Sequence, residues 1–153
     1  MSEKVKKEIF EWIKVFALAI VFAFVITQFI KPTLVRGDSM YSTLEEGDYL
    51  IINRMSYKFG EPKRGDIIVF ESDLQQDDGT NKDLVKRVIG VSGDTIKIKD
   101  SKVYVNGKEL NEPYIHDEIT EGDIDTVVPE NSVFVLGDNR EISLDSRYEQ
   151  VGF

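Results

Sequence analysis

Between Val15 and Ile26 every side chain is apolar. Taken from Ile9 to Ile30, IFEWIKVFALAIVFAFVITQFI, the run has 22 residues. As an α-helix it is roughly 33 Å long, against a bilayer core of about 30 Å. Lys14 lies near the start, where its long stem carries the ammonium back to the interface, and Trp12 suits the same level. Lys31-Pro32 ends the helix, because proline disfavours a helical residue before it. A buried core helix would show a polar face. A cleaved signal sequence would leave through small residues, and Thr27-Gln28-Phe29-Ile30-Lys31 is bulky. The pattern therefore predicts an uncleaved transmembrane anchor over residues 9–30 of a single-pass protein of the cell membrane. Lys4, Lys6, Lys7 and Lys14 keep the N-terminal segment, residues 1–8, in the cytoplasm and put residues 31–153 on the extracytoplasmic side.

Charge is divided unevenly along the chain. Residues 1–31 hold five Lys and three Glu, while the rest carry 14 basic and 25 acidic groups, a balance of −11. A nucleic-acid binder would show a basic stripe instead. With no cysteine and one histidine in the chain, disulfide scaffolds, zinc-thiolate sites, cysteine nucleophiles and multi-histidine metal sites are excluded. No cofactor is expected.

Six glycines are followed by Asp, at 37, 47, 65, 93, 122 and 137, and several of these turn signals precede strand-like runs. YLIIN follows Gly47-Asp48, IIVF follows Gly65-Asp66 and TIKIK follows Gly93-Asp94. Asp100-Ser101 and Asn106-Gly107 read as hairpin turns, and Val133–Leu136 as a short buried strand. Seven to nine strands with no second long helical period predict a mainly β domain of barrel or sandwich-like form. Residues 71–83, ESDLQQDDGTNKD, read as a solvated loop. They do not make a calcium loop, because Leu74 stands where the first carboxylate is needed.

Three segments carry candidate chemistry. In RGDSMYSTL, Arg36 to Leu44, Ser39 stands on a tight turn between Gly37-Asp38 and Met40. Taken alone it reads as a turn residue. A serine nucleophile needs a base, and the single histidine, His116, lies in an acidic loop where a solvated role is the ordinary one. Lysine is the remaining common activator. Lys86 is set among Leu84, Val85, Val88 and Ile89, and in an alternating strand it shares a face with Leu84 and Val88. Desolvation there would lower its pKa, although this segment alone favours a lysine that snorkels outward. GDNREISLDSR, Gly137 to Arg147, packs charges and hydroxyls behind a buried strand and reads by itself as a polar turn network.

Together these segments resemble the boxes of the type I signal peptidases, membrane-bound Ser/Lys proteases that remove signal peptides. GDSMYSTL matches the nucleophile box, with Ser42 where proline is usual. GDYLIINR matches the strand that follows. KRVIGVSGD matches the lysine box, with Ser92 where proline is usual, and GDNREISLDSR matches the last box. The resemblance implies a catalytic β domain of the signal peptidase type and an endopeptidase that cleaves exported preproteins after small residues through an acyl-enzyme. It makes Ser39 the nucleophile and Lys86 the general base. Ser143 holds the lysine by a hydrogen bond, Asp145 and Arg147 support that shell, and Arg87 is a further partner. The Ser39 N–H meets the oxyanion. Some relatives carry a hydroxyl two residues before the nucleophile, where this chain has Gly37. Met40 and Tyr41 are expected to line the substrate groove. Family members generally continue past the last box with further strand, whereas this chain stops at Phe153, the pattern of a short or truncated member. The expected partners are signal-bearing preproteins and the lipid bilayer. Two other readings are a self-cleaving protein of the LexA type, against which the anchor and acidic domain argue, and a catalytically silent, membrane-tethered peptide-binding domain.

Overall fold

The structure, a computed structural model, describes residues 2–58, 60–76, 78–115 and 119–153. His116 lies outside the described residues. The chain divides into two compact units, one holding the segment up to Thr33 and Leu50–Gly60, the other Leu34–Tyr49 and Glu61–Phe153.

The first unit is dominated by helix α1, Glu3–Phe29, none of whose residues is buried. Ser2 caps it by accepting a hydrogen bond from the Val5 N–H, and extended backbone at Ile30, two residues before Pro32, ends it. Lys14 turns back one turn to meet Glu11 at 2.8 Å, as a lysine near the end of an apolar helix is expected to do. Strand β1, Ile30–Leu34, follows directly and pairs with β2, Tyr49–Asn53.

The second unit holds two antiparallel sheets. In the first the order is β3 (Ile67–Gln75), β4 (Asn81–Val91) and β9 (Val133–Leu136). In the second it is β7 (Lys108–Glu109), β6 (Lys102–Val105), β5 (Thr95–Lys99) and β8 (Ile124–Val127). The hairpin turns fall where the sequence puts them: Asp100 and Ser101 have φ of 51° and 64°, and Asn106 and Gly107 have 51° and 77°. Positive φ at both central residues matches the twist of the flanking strands. One expectation is corrected. Residues 71–75 and 81–83 are strand rather than loop, because β3 runs on to Gln75 and β4 starts at Asn81. Ladder hydrogen bonds do not require apolar side chains, and here the buried Ser72 hydroxyl donates to the Lys82 carbonyl at 2.7 Å.

Alternation sorts the side chains into two clusters. Ile89, Ile96, Ile98, Val103, Val105, Val128, Phe134 and Leu136 form the main core. Ile68, Val88 and Val135 form a smaller cluster, so β4 and β9 contribute to both. A register shift between Val88 and Gly90 lets Val88, Ile89 and Gly90 all be buried in succession. Gly90 permits this, since a Cβ there would collide with Ile96 and crowd Val128. Lys86 pairs with Ile68 across the β3–β4 ladder, which carries it to the edge of the smaller cluster.

Ile98 is fully buried in the main core. Ile98→Ala is expected to cost about 2–5 kcal/mol, read as a lowered midpoint in urea unfolding of the detergent-solubilised chain. An unchanged midpoint would mean that the two sheets do not share this core.

Candidate active site

The second unit brings Ser39 and Lys86, 47 residues apart in sequence, to 2.7 Å between Oγ and Nζ. Ser39 is half-buried on a short turn that follows Val35, and the buried Met40 beside it anchors that turn. Lys86 is 2% exposed. Burial pulls its pKa down to about 8; the Asp145 carboxylate opposes the shift, and the nearby charge of Lys82 adds to it. An amine that loses its proton near neutrality, within hydrogen-bond reach of a hydroxyl, has the geometry required of a general base beside a nucleophile.

The segment after β9 holds these groups in place. Asp145 is fully buried. Its Oδ2 accepts from the Gly137 N–H at 3.0 Å, and its Oδ1 accepts from Arg147 Nε at 2.8 Å. The Arg147 guanidinium also donates to the Arg140 and Ser143 carbonyls at 2.7 and 3.2 Å, which pins the loop to itself. Gly137 has no room for a side chain, because a Cβ would overlap the Ser39 carbonyl and the Ser143 hydroxyl. That close approach lets the Asn139 N–H donate to the Ser39 carbonyl at 3.1 Å.

Three expectations change. Ser143 is 2% exposed, yet its Oγ has no hydrogen-bond partner among the described residues. It lies over Gly137 rather than bonding to Lys86. Arg87 does not join the Asp145 group. Its side chain points to the opposite face of β4 from Lys86 and forms a fork with Asp138, Nε to Oδ1 at 2.8 Å and Nη2 to Oδ2 at 2.6 Å. Met40, at 1% exposure, belongs to the interior and not to an open groove, whereas Tyr41 beside it is 51% exposed.

Sequence reasoning passed over Asp138, Thr43, Arg140, Glu112 and Thr120. Thr43 donates to Asp138 Oδ2 at 2.6 Å. One carboxylate therefore ties the Ser39 turn, the strand bearing Lys86 and the loop after β9. Arg140, 2% exposed, donates to the Gly137 carbonyl at 2.9 Å and pairs with Glu112 and Thr120. Tyr114 donates to Glu112 at 3.0 Å and stacks under the Arg87 guanidinium, 4.0 Å from its ring centroid. Burial and the Glu112 charge push the Tyr114 phenol well above its ordinary pKa, so it stays protonated. The available signal was the density of charge in the last box. A buried arginine there requires a carboxylate elsewhere in the chain.

The protein is mainly β, has an apolar N-terminal helix of membrane-spanning length, and sets a serine hydroxyl on a buried lysine amine. The model of the family described as "Signal peptidase, peptidase S26" matches residues 9–153, and the chain belongs to that family of peptidases. It is 41% identical to a protein named Signal peptidase I of Bacillus licheniformis, over 95% of this chain and 82% of that one. It is 39% identical to Signal peptidase IB of Staphylococcus aureus (strain COL), over 93% of this chain and 81% of that one. A crystal structure described as a signal peptidase I from Enterococcus faecalis V583 has 35% sequence identity and a TM-score of 0.48, covering 58% of this chain and 86% of that one.

Because Asp145 holds the ammonium form of Lys86 in place, Asp145→Asn is expected to lower the Lys86 pKa below about 8. NMR titration of the Lys86 Cε resonance measures it. An unmoved midpoint would show that the two groups do not interact. The same change leaves Arg147 without its carboxylate and is expected to destabilise the fold by about 3 kcal/mol.

Proposed function

We propose that the chain is a membrane-anchored endopeptidase that removes signal peptides from exported preproteins with Ser39 and Lys86 as its dyad. The observation that carries this reading is the 2.7 Å separation of Ser39 Oγ and Lys86 Nζ with the lysine 2% exposed. A silent binding domain has no need of that arrangement.

In this mechanism neutral Lys86 takes the Ser39 proton as Oγ attacks the scissile carbonyl carbon. The tetrahedral oxyanion is met by the Ser39 main-chain N–H, with Gly37 offering backbone only. The Lys86 ammonium then protonates the leaving amine, and the acyl-enzyme remains. A water molecule gives a proton to Lys86 and attacks the ester, which frees Ser39 and regenerates the dyad. Asp145 and Arg147 hold the loop that supports the lysine, and Ser143 packs against Gly137 within it.

The substrate is read as an added strand. Val88 makes both of its main-chain hydrogen bonds on the β3 side, to Gly65 and Asp66 at 2.8 Å. Alternation therefore turns the main-chain groups of Arg87 and Val85 toward β9. Strand β9 ends at Leu136, opposite Arg87, so among the described residues β4 beyond that point has no strand paired on that side, an open edge leading from Ser39 past Val85. A peptide strand on that edge exchanges main-chain hydrogen bonds and presents alternate side chains to one face. That suits the small-x-small ending of a signal peptide. Tyr41 stands beside Ser39 as a substrate contact.

The anchor is the segment 9–30, all but its last residue in α1, with residues 1–8 cytoplasmic and residues 31–153 extracytoplasmic. That orientation follows the lysines at its N-terminal end.

The test is cleavage of a signal-bearing precursor by the chain in detergent or lipid. Ser39→Ala is expected to abolish it. Lys86→Arg is expected to abolish it too, since a guanidinium keeps its proton at any usable pH. Only neutral Lys86 accepts a proton, so kcat/KM is expected to rise with pH and level off above about 8. Near-parental turnover by Lys86→Arg would make Lys86 structural. A bulky residue just before the scissile bond is expected to block cleavage, and equal turnover would contradict a tight pocket.

A further inference from the structure

We propose that Lys82 is a specificity residue that reads the charge of the fifth substrate residue before the scissile bond, favouring an acidic side chain there and disfavouring a basic one. The inference rests on the proposed function and extends it along β4.

Lys82 is four residues before Lys86 on the same strand. The β3–β4 register skips from Glu71↔Asp83 to Gln75↔Asn81. The extra residues of that irregularity therefore lie on β3, and β4 keeps its regular alternation. Lys82, Leu84 and Lys86 share one face, and Leu84 and Lys86 on that face are buried while Lys82 is exposed. The Ser72 hydroxyl, itself buried, holds the Lys82 carbonyl at 2.7 Å, so the backbone under the lysine is fixed. The ammonium has no ion pair among the described residues. Its charge is nonetheless felt at Lys86. The acidic pair across the same ladder, Glu71 and Asp83, stands on the other face of the hairpin.

Register gives the substrate position. The half of a signal peptide that is recognised by small alternate residues lies before the bond, so that half occupies the open edge. Its last residue is at Ser39 and Lys86. Two strands side by side advance equally, about 3.3 Å per residue. Four residues of β4, about 13 Å, therefore bring the fifth substrate residue level with Lys82, on the same face. An exposed pair of charges at such a site is worth a few-fold in rate and weakens with salt.

The experiment uses the full chain in detergent at low ionic strength and signal-type peptides identical except for Asp, Asn or Lys at the fifth residue before the bond. The parent chain is expected to cleave the Asp peptide about three- to fivefold faster in kcat/KM than the Lys peptide. The ratio is expected to fall toward one in Lys82→Gln and to invert in Lys82→Glu. A merely structural lysine would not invert it. A second peptide set carries the same three residues at the third position after the bond. An equal charge effect in that set would assign the preference to the overall field of the domain and overturn the proposal. A ratio near one in the parent chain, or one that Lys82→Glu leaves unchanged, overturns it while leaving the Ser39/Lys86 reading intact. No cleavage of any peptide by the parent chain overturns both.

Discussion

Taking a lysine amine out of water costs several kcal/mol unless the charge is matched or the proton is lost. At Lys86 both happen in part. Burial drives the proton off and the Asp145 carboxylate draws it back, which leaves the group titrating near neutrality. That balance requires Asp145 to be close without forming a direct ion pair. Asp145 is already committed, bonded to the Gly137 N–H on one side and to Arg147 on the other. The distribution of its hydrogen bonds therefore sets how much of its charge reaches the lysine.

Charged groups elsewhere in the second unit follow the same rule. Arg87 with Asp138, Arg147 with Asp145 and Arg140 with Glu112 are pairs whose carboxylates are almost entirely shielded from solvent. Losing one partner of such a pair costs about 3–5 kcal/mol, so the Arg87–Asp138 and Arg140–Glu112 pairs each fix a register between segments far apart in sequence, while Arg147–Asp145 closes the loop after β9 on itself. Asp138 joins Thr43, on the turn bearing Ser39, to Arg87, next to Lys86. Arg140 joins the Gly137 carbonyl to Glu112. Three of the sequence boxes, those bearing Ser39, Lys86 and Asp145, meet in one polar network through Asp138, Thr43 and Arg87, and the acidic excess of the domain supplies its carboxylates.

Close packing adds the second requirement. Gly137 brings the Ser39 carbonyl and Ser143 against its own Cα, and Met40 is sunk into the interior next to Ser39. A hydroxyl on a loose turn would sample many positions relative to the lysine. Here a buried neighbour, an absent side chain and the Asn139 N–H on the Ser39 carbonyl restrict it.

Local chemistry made much of this legible in advance. A run of apolar residues with no polar face forms a helix that no small soluble core can bury, and α1 has no buried residue. Asp100-Ser101 and Asn106-Gly107 tolerate positive φ, so they fixed two hairpins. Alternation put Lys86 on one face with Leu84 and Val88. These outcomes depend on neighbours within a few residues. Whether Lys86 snorkels or is buried, which carboxylate Arg87 meets, where Ser143 points and how far β3 and β4 run are different matters. They depend on partners tens of residues away, and local spacing carries no record of those distances. The motif order pointed to Ser39 and Lys86, but only the folded sheet, with β9 ending at Leu136 and the chain turning over Gly137, brings a hydroxyl and a desolvated amine within reach of one proton.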